Sequence, residues 1–206
     1  MELHRGLYVI TDGASSAGAE LPERVAEAIA GGATAVQYRD KSADTRRRLH
    51  EARALVQICR AAGVPLIVND DVELAAEAGA DGVHLGRDDG DIGRARRRLG
   101  DKALIGVSCY NDLERARHGA QAGADYLAFG RFFPSATKPD AVQADPGLLS
   151  AARRTLPLPL VAIGGITPEN GGPLIAAGAD LLAVIHGVFG ASHVAAAAAA
   201  YVRLFD

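Results

Sequence analysis

Short apolar runs alternate along the sequence with longer stretches in which apolar residues recur at helical spacing. The short runs are almost continuous in apolar residues, which is typical of strands covered on both faces. We predict eight strands, at Gly6–Asp12, Ala35–Asp40, Pro65–Asn69, Gly82–Gly86, Ala103–Ser108, Tyr126–Gly130, Leu160–Gly164 and Leu181–His186. We predict helices at about Leu21–Ala30, Asp44–Ala62, Asp71–Ala78, Ile92–Leu99, Leu113–Ala122, Pro146–Thr155, Pro168–Ala177 and His193–Leu204.

Four segments resemble one another, each with a small-residue turn followed by a short apolar run. They read GGATAVQYRD from Gly31, AGADGVHLGRDD from Ala78, AGADYLAFGRF from Ala122 and AGADLLAVIHGVF from Ala177. Glycine in such a turn suits the left-handed residue that closes a helix, and the apolar run suits the next strand. The repeat therefore indicates a recurring helix–turn–strand unit.

Strict alternation of strands and helices is typical of an α/β protein with a parallel sheet. Eight such units predict a closed (β/α)8 TIM barrel, and since a typical barrel has about 250 residues, we expect short loops here. An open doubly wound sheet is the alternative, but it would leave sheet edges. No linker or change in composition divides the chain, so we expect one compact catalytic domain over residues 1–206.

Composition narrows the class of protein further. Apolar residues make up 49% of the 206 residues and charged residues 23%, as in a soluble globular protein. The net charge of −3 favours neither a nucleic-acid partner nor a membrane surface. The two cysteines, Cys59 and Cys109, form no CxxC pair, so we expect a reducing cytoplasm and no zinc site. The sequence leaves homo-oligomer formation open.

Polar residues follow the predicted strands at the point where each apolar run stops. The endings contain Thr11-Asp12, Gln37 to Lys41, Asn69 to Asp71, Arg87 to Asp89, Ser108, the segment GRFFPSATKPD, Gly164-Gly165 and His186-Gly187. All of them lie at the carboxyl ends of strands, the face that carries the active site in this kind of barrel. We therefore expect a binding site at this mouth.

Cationic side chains in these endings indicate an anionic ligand. Gln37, Arg39 and Lys41 are in phase along one strand, and Lys138 follows another. Arginine grips paired anionic oxygens and lysine acts as a point charge, so the set suits a ligand with several phosphate oxygens. The alternative is a surface network in which Arg39 and Lys41 pair with Asp40 and Asp44.

Asp70 and Asp89 are carboxylates at two neighbouring strand ends. One or two carboxylates, completed by substrate phosphates and water, form a typical Mg²⁺ site. Two alternatives stay open. Either Asp70 or Asp71 would cap the following helix, and the acidic residues at 88 and 89 would be turn residues.

Two further segments suit phosphate. In AIGGITPEN a Gly pair precedes Thr167 and Pro168, which suit the cap and first residue of a helix. In FFPSATKPDAVQAD, Ser135, Thr137 and Lys138 would bind phosphate on a lid over residues 132–145. The alternatives are a tight turn and a solvated loop.

His84 lies in an apolar run and is interpreted first as a core histidine, whereas His186 falls at a strand end that faces the proposed site.

The sequence resembles the thiamine-phosphate synthase family (thiamine-phosphate pyrophosphorylase) over almost its whole length. The matching pieces are LYVITD, AVQYRDK, PLIVNDDVELAAEAGADGVHLGRDD, IGVS, GADYLAFGRFFPSATK and VAIGGITPEN. The resemblance implies a (β/α)8 barrel and an Mg²⁺-dependent transferase of thiamine biosynthesis. Its reaction would join hydroxymethylpyrimidine diphosphate to a thiazole phosphate by a dissociative path, giving thiamine phosphate and diphosphate.

The resemblance also implies roles for residues. Those expected to hold the pyrimidine diphosphate are Gln37, Arg39, Lys41, Asn69 and Lys138, with Ser108 beside the pyrimidine and its leaving group; Asp70 and Asp89 would bind Mg²⁺; and Ser135, Thr137, Gly165, Ile185 and His186 would surround the thiazole phosphate. Of these, Arg39, Lys41, Ser108 and Lys138 are expected to act in catalysis.

The chain departs from the family at two positions. The family usually has serine where this chain has His186, and often histidine where it has Tyr110. A histidine would donate to phosphate, but it is bulkier and titrates near neutrality. Two other functions remain open at this stage, a thiazole tautomerase-like isomerase and a non-catalytic sensor of phosphorylated ligands.

Overall fold

Eight parallel strands close into a barrel in the order of the chain. The computed structural model describes residues 2–13, 20–86, 91–134 and 142–206. The strands are β1 Gly6–Ile10, β2 Ala33–Tyr38, β3 Leu66–Asn69, β4 Gly82–Leu85, β5 Leu104–Tyr110, β6 Tyr126–Gly130, β7 Leu160–Ile163 and β8 Leu181–Val184. β8 pairs with β1 and completes the ring, which confirms the predicted (β/α)8 fold.

Helices follow the strands and surround the barrel. They are α1 Leu21–Ala30, α2 Thr45–Ala62, α3 Val72–Ala78, α4 Ile92–Leu99, α5 Leu113–Gln121, α6 Gly147–Thr155, α7 Gly172–Ala176, α8 His186–Phe189 and α9 Val194–Val202, with a final 3₁₀ turn at Arg203–Phe205. In the described ranges, no helix is both long enough and apolar enough to span a membrane.

Several predicted helix and strand boundaries were wrong in ways that affect the barrel mouth. β8 ends at Val184, and His186 begins the short helix α8 instead of ending the strand. Helix α7 begins at Gly172 rather than at Pro168, because Asn170 Oδ1 accepts from the Thr167 backbone N–H at 2.8 Å and closes a turn there. β5 also extends beyond the predicted Ser108, through an irregularity in its pairing with β6.

Alternate residues of the strands pack into two separate cores. The side chains that fill the barrel interior are Tyr8, Ile10, Ala35, Ile67, Leu104, Tyr126, Ala128, Val161, Leu181 and Ala183. The residues between them, such as Val9, Val36 and Val68, pack outward against the helices. Because strand side chains alternate between faces, this phase sends Gln37, His84 and Ser108 into the interior.

The repeated turns have a common geometry at the opposite end of the barrel. Gly32, Gly79, Gly123 and Gly178 have φ values of 97°, 74°, 93° and 116°, the left-handed conformation that glycine adopts at least cost. In the three AGAD segments the aspartate then accepts a hydrogen bond from a backbone N–H in the first two residues of an adjacent strand. Asp81 accepts from Leu66 at 2.9 Å, while Asp125 and Asp180 accept from Ile105 and Leu160 at 2.7 Å.

Candidate active site

A cavity of about 420 Å³ opens at the carboxyl ends of the strands. Its walls combine apolar side chains, such as Ile10, Val161 and Ile163, with a few polar groups. Such a mixture is typical of small-molecule sites, where apolar walls bury the ligand and polar groups orient it.

The structure brings most of the predicted site residues to this mouth. The main cavity is lined by Gln37, Arg39, Asn69, Ser108, Gly165, Ile185 and His186. A neighbouring cavity of about 480 Å³ is lined by Lys41 and Asp70, and Asn69 lines both. Asp89, Ser135, Thr137 and Lys138 lie outside the described residues, as does half of the predicted 132–145 lid.

Among the residues that it describes, the structure does not show the surface ion pairs that were the alternative for Arg39 and Lys41. Asp40 and Asp44 lie beside Arg47, at 2.5 and 3.9 Å, rather than beside Arg39 and Lys41. Hydrogen bonds from Ser42, together with the Arg47 charge, hold the pKa of the Asp40 carboxyl below its usual value despite partial burial. Arg47 therefore satisfies these carboxylates, while Arg39 faces the cavity and Lys41 the neighbouring one.

Asp70 and Asp71 have different tasks. Asp71 Oδ1 accepts from the Leu74 backbone N–H at 2.9 Å and caps α3, as one of the two was expected to do. Asp70 turns away with φ of 64°, a conformation that aspartate tolerates better than most residues. Its Oδ2 accepts from Asn69 Nδ2 at 2.6 Å and lies 3.6 Å from Lys41 Nζ. The turn thus presents a carboxylate beside an amide and an ammonium group.

The donor set around Asp70 fits a hard cation. Carboxylate and amide oxygens are the ligands that Mg²⁺ takes, and such sites use one or two carboxylates with substrate phosphates and water. The described ranges contain no group of three or more His, Cys, Asp or Glu side chains that could hold a metal ion. A cation here would need ligands beyond the described side chains, such as oxygens from a bound substrate.

The Gly164–Gly165 turn is packed closely against the segment after β6. A Cβ at Gly164 would lie 2.2 Å from the Arg131 Cβ, and one at Gly165 would lie 2.3 Å from the Pro134 carbonyl oxygen. Both glycines have positive φ, 105° and 63°. Only glycine fits such a turn without a backbone shift, so close packing explains the pair independently of any ligand.

His186 lies beside an acidic group at the mouth. Its Nε2 is 3.1 Å from Asp12 Oδ2, which follows β1. The side chain of His186 is half exposed, whereas that of Asp12 is largely covered. The pair therefore places an imidazole between a carboxylate and the cavity.

A chain of hydrogen-bonded side chains crosses the floor of the cavity. Gln37 Nε2 donates to the Tyr8 hydroxyl at 2.9 Å, which lies 2.9 Å from that of Tyr126. The imidazole of His84 continues the chain, with Nδ1 at 3.0 Å from Tyr126 Oη and Nε2 at 2.8 Å from Ser108 Oγ. We call these five residues the buried polar chain. Burial raises the pKa of both tyrosines well above the usual value, so both hydroxyls keep their protons.

Sequence reasoning missed the two tyrosines and ranked His84 first as a core histidine. His84 is indeed buried and hydrogen-bonded, but it also lines the cavity. The signal that would have found the tyrosines is strand phase, because Tyr8 and Tyr126 share the inward phase of Gln37 and Ser108.

Comparisons with known proteins show the family of this chain. A model described as thiamine monophosphate synthase matches residues 7–188. The chain belongs to the thiamine monophosphate synthase family. It is 56% identical over 201 residues to a thiamine-phosphate synthase from Nitrosococcus oceani, covering 98% of this chain and 93% of the relative. It is 53% identical over 202 residues to a thiamine-phosphate synthase from Aromatoleum aromaticum, covering 98% and 97%.

A solved member of the thiamine monophosphate synthase family has the same architecture. The structure of a thiamine phosphate pyrophosphorylase from Pyrococcus furiosus is 37% identical to this chain and superposes with a TM-score of 0.87. The match covers 97% of this chain and 94% of that structure. The chain and its barrel therefore match a family with named enzymes, which confirms the resemblance drawn from the motifs.

Proposed function

We propose that this protein is a thiamine-phosphate synthase. It couples 4-amino-2-methyl-5-hydroxymethylpyrimidine diphosphate with 4-methyl-5-(2-phosphooxyethyl)thiazole and releases thiamine phosphate and diphosphate. One observation carries the proposal: Asn69 joins a ring-sized, mostly apolar cavity to a second cavity lined by Lys41 and Asp70. A ring with a diphosphate tail needs such a pair of adjoining spaces.

Three polar groups of the main cavity hold the pyrimidine in this proposal. Gln37, Asn69 and Ser108 lie at the ends of three different strands and face one space. Arg39 and Lys41, with Lys138, bind the diphosphate, since arginine grips paired oxygens and lysine adds charge. These cations stabilise the negative charge that gathers on the leaving group.

The second substrate occupies the other side of the mouth. Gly165, Ile185 and His186 line that side, and Ser135 and Thr137 would complete its phosphate site. The thiazole ring then lies against the apolar wall, with its nitrogen directed at the pyrimidine methylene carbon. Holding both rings in one pocket removes much of the entropic barrier to their reaction.

Asp70, with Asp89, would hold Mg²⁺, and a bound Mg²⁺ would neutralise charge on the diphosphate oxygens. The finding in favour is that Asp70 lines the second cavity, where a diphosphate would supply the remaining oxygen ligands. Lys41 is mostly exposed and its ammonium group lies at the edge of this setting, so it can turn toward phosphate when the substrate binds.

The reaction begins when the bond between the pyrimidine methylene carbon and the diphosphate oxygen breaks. The electron pair leaves with diphosphate, and the aminopyrimidine ring delocalises the resulting positive charge. The lone pair of the thiazole nitrogen then forms the new carbon–nitrogen bond. Apolar walls such as Val161 and Ile163 exclude water, which would otherwise capture the cation.

We also propose a reducing compartment such as the cytoplasm. Both cysteines are free and buried, and burial raises the pKa of each thiol to about 12, which keeps them unreactive. We further propose that the whole chain forms one domain. It acts on small phosphorylated molecules and needs neither nucleic acid nor a membrane as a partner.

A direct assay tests the proposed function. Purified protein is mixed with Mg²⁺ and both phosphorylated precursors, and thiamine phosphate and diphosphate are measured by chromatography. Formation of both products in equal amounts supports a synthase. Isomerisation of the thiazole alone would select a tautomerase-like enzyme, and tight binding without product would select a sensor.

A further inference from the structure

The buried polar chain ends at both sides in the cavity. Gln37 on β2 and Ser108 on β5 line the cavity, while Tyr8 and Tyr126 connect them through His84 beneath it. Tyr8, Tyr126 and Gln37 are at most 3% exposed and His84 is 8% exposed. A set of polar groups this deeply buried has to be fully hydrogen-bonded, so each proton must have a defined acceptor.

Gly106 gives Tyr126 the space to reach His84. Tyr126 on β6 pairs with Gly106 on β5, which in turn pairs with His84 on β4. A Cβ at Gly106 would lie 1.9 Å from Tyr126 Cζ and 2.3 Å from its hydroxyl oxygen. The tyrosine thus crosses a whole strand over a residue without a side chain, and its ring stacks on the imidazole with centroids 5.6 Å apart.

The orientation of the Gln37 amide, with Nε2 toward the Tyr8 hydroxyl, sets the direction of the protons along the chain. Tyr8 already accepts from Gln37. If Tyr126 also donated to Tyr8, the Tyr8 proton would have no acceptor among the residues that the structure describes. Tyr8 therefore donates to Tyr126, Tyr126 donates to Nδ1 of His84, and Nε2–H of His84 donates to Ser108.

We propose that His84 is a positioning residue that makes Ser108 a hydrogen-bond donor to the substrate. Because the Ser108 oxygen accepts from His84, its own proton is left for the cavity. At the other end, the Gln37 amide nitrogen is held by Tyr8, which leaves Oε1 as an acceptor. The inference rests on the proposed function and names how the same site orients its first substrate.

The resulting polarity matches an aminopyrimidine diphosphate. That substrate carries an amino group that donates, and ring nitrogens and diphosphate oxygens that accept. An acceptor at Gln37 and a donor at Ser108, on opposite walls, complement such a molecule. If the histidine tautomer reversed, Ser108 would give its proton to Nε2 and present only lone pairs to these acceptor atoms.

A double-mutant cycle tests whether His84 acts through Ser108. We expect His84→Phe and Ser108→Ala each to lower kcat about tenfold, the factor that one lost hydrogen bond of ordinary strength gives. The double variant should then be no slower than Ser108→Ala alone, because both changes remove one interaction. If the two reductions multiply instead, His84 does not act through Ser108 and the proposal fails.

Two matched variants separate positioning from structure. His84→Gln keeps an amide nitrogen near the Nε2 position and should restore most of kcat. His84→Asn keeps an amide only near the Nδ1 position, which faces Tyr126, and should not restore kcat. Tyr126→Phe should lower kcat like His84→Phe. Tyr38→Phe is its control, because it removes another buried hydroxyl, bonded to Glu51 at 2.7 Å on the helix side of β2. Tyr38→Phe should lower thermal stability and leave kcat unchanged.

Nitrogen-15 NMR of imidazole-labelled protein reads the tautomer directly. We expect the His84 signal of the wild type to be that of the Nε2–H form, and to shift toward a mixture in Tyr126→Phe. An Nδ1–H signal in the wild type would overturn the assigned direction whatever the kinetics show, and it needs no variant that might misfold.

The outcomes also distinguish the two proposals. A wild type that forms no thiamine phosphate would overturn the proposed function. A wild type that forms product while all His84 and Tyr126 variants keep their full kcat would overturn only the role of His84.

Discussion

At the scale of single residues, Arg39 lines the cavity while another arginine pairs with the carboxylates nearest to it in the sequence. The nearby carboxylates of Asp40 and Asp44 lie beside Arg47 on the first turn of α2. Arg39 lines the main cavity instead. A cation in this position adds little to folding, so its value lies in what it binds.

Arg39→Ala should therefore separate activity from stability. We expect kcat/KM for the pyrimidine diphosphate to fall at least about a hundredfold, because a charge that stabilises the leaving group acts mainly in the transition state. The melting temperature should change by no more than a few degrees. Arg46→Ala, an exposed arginine on α2, is the matched control and should change neither. Turnover of the wild-type size in Arg39→Ala would remove the residue from the mechanism.

His186 belongs to the second substrate in the proposed function. His186→Ser removes from the cavity wall the imidazole that lies 3.1 Å from the Asp12 carboxylate. We expect KM for the thiazole phosphate to rise about three- to tenfold, the effect of one hydrogen bond of ordinary strength, while KM for the pyrimidine diphosphate stays constant. Steady-state kinetics with each substrate varied in turn measure both. Equal changes in the two constants would place His186 outside the thiazole site.

The position of a residue in the site could be predicted only where the local sequence pattern determines it. The in-phase series Gln37, Arg39 and Lys41 predicted a mouth-facing set, and the structure divides it between two adjoining cavities. The pairing of His186 with Asp12 was not predictable, because β8 and β1 are joined only by barrel closure. Contacts across the ring depend on strand register, which no short segment of sequence contains.

At the scale of elements, the repeat proved to be structural. Its glycines close helices, and its aspartates anchor neighbouring strands through backbone N–H groups at the end of the barrel remote from the site. The repetition reflects one solution, used several times, for joining a helix to a strand. The repeated turns could be predicted from glycine alone, whereas the aspartate contacts needed the neighbouring strand.

Asp81→Ala should lower stability without affecting catalysis. The change removes the acceptor of the Leu66 N–H, at the start of β3. We expect the free energy of unfolding in urea to fall by about 1–2 kcal/mol, the cost of leaving such a backbone group without its partner. Asp101→Ala, an exposed aspartate just before β5, is the control and should be neutral. A neutral Asp81→Ala would show that water replaces the carboxylate there.

Element boundaries near the mouth were the least predictable feature. Thr167 and Pro168 have the residue types of a helix start, yet Asn170 bonds back to Thr167 and delays α7 to Gly172. His186 continues an apolar run but begins α8. In both places a side-chain contact competes with local propensity, and both segments line the cavity.

At the scale of the whole molecule, closure of the barrel brings distant residues to one site. Gln37 and Ser108 lie 71 positions apart in the sequence, yet four hydrogen bonds connect them across the interior. The periodic strands made this fold predictable, because eight parallel strands covered on both faces have few other arrangements. That the site residues share one mouth could be predicted from the fold. The hydrogen bonds of the buried polar chain depended on side-chain packing and could not.

Binding at the mouth should stabilise the entire barrel, because a ligand that binds only the folded state shifts the unfolding equilibrium. With Mg²⁺ and diphosphate at a hundred times the dissociation constant, we expect the melting temperature to rise by about 5–10 °C. Asp70→Asn tolerates the same left-handed backbone but lacks the charge, so the rise should largely disappear. Asp101→Asn should keep it. Differential scanning fluorimetry measures all three proteins, and an equal rise without Mg²⁺ would mean that Asp70 holds no cation.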